Sequence, residues 1–185
     1  LYFPMSFLKQ LLAPDPTESD EDFLKRRLND FISGNNPGSA LDDILKYTSE
    51  YKQLIGIKAW NSLVDSLSTF QKDPHNQNKA LIILSELIND DSLESNSISG
   101  YIANDNQSLL KILESLSSRD SKVRANTLTL LKNLIRLQPT QVQNIFLDST
   151  AQKLILGLED DSVDAIRSSF YLLIPSLVKG NPDIQ

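Results

Sequence analysis

Few residues in this chain could do covalent chemistry. There is one histidine, His75, between Pro74 and Asn76, and there is no cysteine. A zinc site needs several His, Cys or carboxylate donors, and a nucleophile needs a neighbouring base, so His75 reads as a surface-turn residue without a catalytic or metal role. The adjacent carboxylates Asp90-Asp91 and Asp160-Asp161 could in principle act as acid and base, but acidic pairs between helices more often cap helix starts and face water. No glycine-rich phosphate loop, HExxH or GxSxG pattern occurs, and six glycines leave little material for one. Asn106-Gln107-Ser108 matches a glycosylation acceptor, a pattern short enough to arise by chance. The residues point to no enzyme, no bound cofactor and no metal.

Binding residues are the alternative. Trp60 lies on an expected helix with Leu63, Val64 and Leu67, where packing between helices is favoured over an exposed anchor. The patch Phe7, Leu8, Leu11 and Leu12 carries one lysine and precedes acidic residues, so it reads as a cover for the first helices rather than a membrane anchor.

These residues must be positioned by a scaffold of 185 residues, 40% hydrophobic, with a net charge of −6. That length and composition allow one stack of helices. The scattered basic residues disfavour nucleic acid, the lack of cysteine fits a reducing cytosol, and no apolar run suffices for a transmembrane segment. Residues 1–4 read as a tag remnant, and 5–22 as an N-terminal segment ending in an acidic linker. Phe23, Leu24, Leu28, Phe31 and Ile32 predict a first helix over 23–32, stopped by Gly34-Asn35-Asn36-Pro37-Gly38.

From Ser39 onward a long period organises the chain. The triplet Leu41, Ile44, Leu45 recurs as Leu84, Leu87, Ile88, then Leu131, Leu134, Ile135, then Ile174, Leu177, Val178, at steps of 43, 47 and 43 residues. Val123-Arg124 and Gln138-Pro139 recur as Ile166-Arg167 and Asn181-Pro182 at the same step of 43. Such a period predicts an all-α, right-handed armadillo or HEAT-type solenoid over 23–185, with repeats that stack because none buries its own face. Asp120 and Asp161 stand at expected helix starts, and Pro139 suits a first helical position. The polar stretch of about 89–107 reads as an inserted loop. Pro175, inside the last predicted helix, predicts a bend. Third helices are the usual binding surface of such solenoids. Asn133 could hold a peptide backbone there, but the equivalent Asp43, Glu86 and Ser176 break the asparagine ladder of nuclear-import adaptors. Asn133 and Arg136 are the candidate partner contacts.

Several of these residues, in order, resemble the head domain of the general vesicular transport factor family, tethers of endoplasmic-reticulum-to-Golgi traffic. They are Met5-Ser6-Phe7-Leu8, Tyr51-Lys52-Gln53-Leu54-Ile55-Gly56-Ile57 with Ala59 and Leu63, Val123-Arg124, Gln141-Val142-Gln143 with Ile145, Ile166-Arg167 and Asp183-Ile184-Gln185. The acidic segment after Ile88 also falls where that family carries a loop. The resemblance implies the first part of an armadillo head and a peripheral factor on the cytosolic face of Golgi and transport membranes. Its partners would be Rab-type GTPases, SNARE proteins and other Golgi tethers, and it would form a homodimer through a coiled coil not contained here. It also implies that the face around Ile174, Leu177 and Val178 is partly uncovered. The other reading is an armadillo adaptor of a different kind, such as an Hsp70 nucleotide-exchange cofactor.

Overall fold

A computed structural model describes residues 18–180. Among them there is no strand. Ten α-helices follow in order: α1 (Asp20–Ile32), α2 (Pro37–Tyr47), α3 (Lys52–Thr69), α4 (Pro74–Leu87), α5 (Leu93–Ala103), α6 (Asn106–Glu114), α7 (Ser121–Leu137), α8 (Pro139–Ile145), α9 (Ser149–Leu156) and α10 (Asp164–Val178). A 3-10 turn, Ser115–Ser117, joins the α6–α7 connection.

Helix starts follow local chemistry. Ser19, Asp73, Ser92, Asp105, Asp120 and Asp148 each accept a backbone N–H of the following first turn. Proline opens α2, α4 and α8, where its missing N–H costs no helical bond. The last acidic residues before Phe23 therefore do not form a linker. Asp20, Glu21 and Asp22 make the first turn of α1, where negative charge meets the positive end of the helix dipole. At the other end of α1, Gly34 has φ 76°. This lets the amides of Gly34 and Asn35 return to the carbonyls of Phe31 and Asp30, at 3.1 and 2.8 Å, and close the helix.

The register marks occupy equivalent places. The four triplets fall between the middle and the C-terminal end of α2, α4, α7 and α10, with Ile88 standing as the C-cap of α4, and these helices pack in succession, each on the next. A second row, α1, α3, α6 and α9, packs in succession beside the first. Leu41, Ile44, Leu84, Leu87, Ile88, Leu131 and Leu134 are all at most 1% exposed, so the rows share one continuous core. In the last triplet Leu177 is buried while Ile174 and Val178 are half-buried, a thinner cover than the other three receive.

The polar stretch after Ile88 is not an inserted loop. Residues 93–103 form α5, capped by Ser92, and α6 follows directly after Asp105. The buried stripe of α5 is Ser95, Ile98, Ser99, Ile102 and Ala103, helical in spacing but largely made of serine and alanine. Small residues let it approach α3 closely. At Gly56, within α3, an added Cβ would come 2.2 Å from the Cδ1 of Ile98. Replacement Gly56→Ala is expected to lower stability by about 1–2 kcal/mol, overpacking outweighing the better helix propensity of alanine. Urea unfolding followed through the emission of Trp60, the sole tryptophan, measures it. Adding Ile98→Val should recover most of the loss, and no recovery would mean that this contact is not the cause.

The buried stripe of α1 also departs from expectation. Ile32 is 46% exposed, and Arg27, at 1%, takes an interior place beside Leu24, Leu28 and Phe31. Finally, α10 runs through Pro175 to Val178. Pro175 removes the amide that would bond the carbonyl of Tyr171, and the helix ends within one further turn.

Candidate functional site

A groove of about 980 Å³ lies between α7 and α10, with Pro139, Thr140 and Gln143 of α8 in its lining. Its position follows from the packing of the row: where α7 and α10 lie side by side, their outward side chains leave a furrow. The lining includes Lys132, Asn133 and Arg136 from α7, Leu172 and Leu173 from α10, and Lys179. It contains three cationic residues and no carboxylate. Leu173 is buried and forms the floor, while Leu172 is 80% exposed at the rim.

Both candidate contact residues lie in this groove, and both also hold the neighbouring repeat. Asn133 donates through Nδ2 to the carbonyl of Ser85 at 3.3 Å, across to α4. Arg136 pairs with Asp91 and donates to the carbonyl of Ile88 at 3.2 Å, tying the C-terminal end of α4 to α7. Lys132 and Lys179 form no ion pair among the described residues. They carry the groove's uncompensated charge. Neither was a sequence candidate, although Lys179 stands in the same repeat position as Arg136 and that periodicity could have found it.

The carboxylate pairs do structural work. Asp90 accepts from Lys52 at 2.7 Å and from the hydroxyls of Ser92 and Ser95, both at 2.6 Å, and these bonds hold its carboxyl well below the usual carboxylate range. Asp161 is not a solvated turn residue. It is 8% exposed and takes two bonds from Arg124, Nε at 2.6 Å and Nη2 at 2.9 Å. The amide of Val163 adds a third bond at 2.9 Å. Arg124 is the main cause that depresses its carboxyl. Arg167, the repeat equivalent of Arg124, donates to the Asp161 backbone carbonyl and pairs with Asp164. Asp161 thus sets the entry to α10, while the first helical residue is Asp164 and the cap is Val163.

The remaining candidates stand apart. His75 is exposed in the first turn of α4, so it belongs to a helix start rather than a turn. Among the described residues, no group of His, Asp and Glu is arranged to hold a metal ion. Ser108 is buried and donates to Asp105 at 2.6 Å, in the first turn of α6. Trp60 is half-buried and stacks on Tyr101 of α5 with ring centroids 6.2 Å apart and planes 15° from parallel. It packs between helices, as its spacing predicts. No helix among the described residues is long and apolar enough to cross a membrane. The apolar patch at Phe7–Leu12, the opening Met5-Ser6-Phe7-Leu8, the Asn181-Pro182 mark and the closing Asp183-Ile184-Gln185 lie outside the described residues. In comparisons with known proteins, no family profile matches the chain and no curated protein matches it.

Proposed function

We propose that the chain is an armadillo-type, non-catalytic binding head that acts in vesicle tethering. The observation that carries the solenoid type is the recurrence of three-helix units. In α5–α6–α7 and in α8–α9–α10, two shorter helices precede a long one, and the long helices pack row-wise on α4 and on each other. Such a scaffold presents surface rather than a reaction chamber, and the polar lining of the α7–α10 groove is of amides, hydroxyls and cations without an acid and base converging on a common point. The tethering role rests on the ordered resemblance of Tyr51–Ile57, Val123-Arg124, Gln141–Gln143 and Ile166-Arg167 to the vesicular transport factor heads. On this reading the head works at the cytosolic face of Golgi-bound membranes by bridging a Rab-type GTPase and SNARE proteins, with no bond made or broken.

The test is capture of purified Rab GTPases, each loaded with GDP or with a non-hydrolysable GTP analogue, on the immobilised chain. Nucleotide-dependent retention of at least one GTPase is expected. Acceleration of nucleotide release from an Hsp70 ATPase domain, without any GTPase captured, would replace the tethering reading by that of a chaperone cofactor.

A further inference from the structure

From the groove between α7 and α10 we infer a docking site for an acidic, extended peptide segment carrying an aliphatic side chain. This rests on the reading of the chain as a protein-binding solenoid and adds the site and the chemistry of its occupant. Charge complementarity is the first argument. In a chain of net charge −6, the groove gathers Lys132, Arg136 and Lys179 and no carboxylate. The corresponding positions of the earlier helices of this row hold Asp42, Asp43 and Lys46 in α2 and Glu86 in α4, and the two aspartates are used internally. Asp42 is paired with Lys79 and Asp43 with Arg27, each at 2.6 Å. Lys132 and Lys179 have no such partner among the described residues. A negative segment would therefore be drawn to this end of the row, where the two lysines are free, rather than to the other, where carboxylates already hold Arg27 and Lys79.

Surface chemistry is the second argument. Leu172 at 80% exposed stands over the buried Leu173, giving an aliphatic contact at the groove rim that water otherwise covers. Asn133 spends one N–H on Ser85, which leaves its carbonyl oxygen to accept from a peptide N–H. A nucleic acid fits the lining less well, because no aromatic ring on which bases could stack lines the groove.

The experiment is fluorescence anisotropy of the whole chain with a labelled peptide of alternating Asp and Glu around one central Leu. A Lys-substituted version, a version with Ser for the Leu, and a labelled oligothymidylate are the comparison probes. The acidic Leu peptide is expected to bind, more weakly as salt is raised. The double variant Lys132→Glu/Lys179→Glu should weaken binding at least tenfold while its helical circular dichroism is unchanged, since both lysines are exposed. Leu172→Ser should weaken the Leu peptide and leave the Ser peptide unaffected. Equal affinity for the basic peptide or the oligothymidylate, or indifference to the two lysine reversals, would overturn the inference. If Rab GTPases are captured while no peptide binds, the groove assignment fails and the head reading stands. Peptide binding without GTPase capture gives the converse.

Discussion

Replacing Asp161 by alanine is expected to cost about 3–5 kcal/mol and to release the last repeat from the stack. The reason is asymmetry. With both partners present, the Arg124 and Asp161 side chains are 12% and 5% exposed and satisfy each other through two hydrogen bonds. Without the carboxylate, the guanidinium keeps its bonds to the carbonyls of Ser118 and Arg119 but remains a largely buried charge without a counterion. The amide of Val163 loses its acceptor, and the entry to α10 loses the link that ties it to α7. The pair Arg124→Met/Asp161→Leu should be far less damaging than Asp161→Ala, because it removes both charges and fills the space.

The same site makes stability depend on pH. The Asp161 carboxyl titrates below its unfolded value, so its contribution is fully present above about pH 4, the unfolded carboxylate range, and is lost as the pH falls through its lower folded value. Asp90 is shifted in the same direction by Lys52 and then by its hydroxyl partners, and Asp105, Asp120 and Asp148 by the groups they cap, so they add to the same acid-side loss. Asp161→Asn should flatten the acid limb of a plot of urea midpoint against pH. An unchanged limb would assign the acid sensitivity to the capping aspartates alone.

The row α2, α4, α7 and α10 was legible in the sequence because its signal is redundant. Each of α2, α4, α7 and α10 repeats an apolar triplet, and three of the connections that open helices carry a proline at the first position. A long strongly periodic helix announces itself. By contrast α5 was hidden because much of its interior is serine. Ser95 donates to Asp90 at 2.6 Å and Ser99 to the carbonyl of Asn96 at 3.0 Å, and Gln138 donates to the Ser99 hydroxyl at 3.2 Å. Serines that face inward with every bond made behave as small spacers, yet in a sequence they read as loop. The helix persists because α3 and α7 cover it, which outweighs its poor propensity. The groove was partly legible: Asn133 and Arg136, picked from the expected third-helix register, do line it, and the step of 43 from Arg136 leads to Lys179, whereas Lys132 is distinguished only by the absence of an ion-pair partner, which no sequence displays. Asp161 was read as a solvated helix start, and Arg27 drew no reading at all, for a related reason. A charged residue at an interior position can be recognised only with its counterion, and the counterions lie on another helix.

Arg27 raises the question of how cooperative the stack is. Its guanidinium is 1% exposed and makes three bonds: Nε to Asp43 at 2.6 Å, Nη1 to Asp30 at 2.7 Å and Nη2 to the Ser39 hydroxyl at 2.9 Å. Two of these cross from α1 to α2, so the side chain acts as a planar bracket at the opposite end of the row from Arg124. Asp30 and Asp43 are each about 30% exposed, so unlike Arg124 they can be rehydrated when their partner is lost. Arg27→Ala should therefore cost about 3 kcal/mol, mostly through the lost packing of a buried stem and the broken bonds. Arg27→Met should cost less, since it restores the volume. Arg27→Lys should fall between them, because an ammonium cannot reproduce three bonds in one plane. In a stack held by nearest-neighbour contacts, the damage should stay local. Amide hydrogen exchange in Arg27→Ala is expected to show faster exchange across α1 and α2, while α6 and α7 keep their protection and the Trp60 unfolding midpoint in α3 moves by less than the local loss. Uniformly faster exchange through α7 would mean that the ten helices open as a single unit, and the two arginine brackets would then be two handles on one transition.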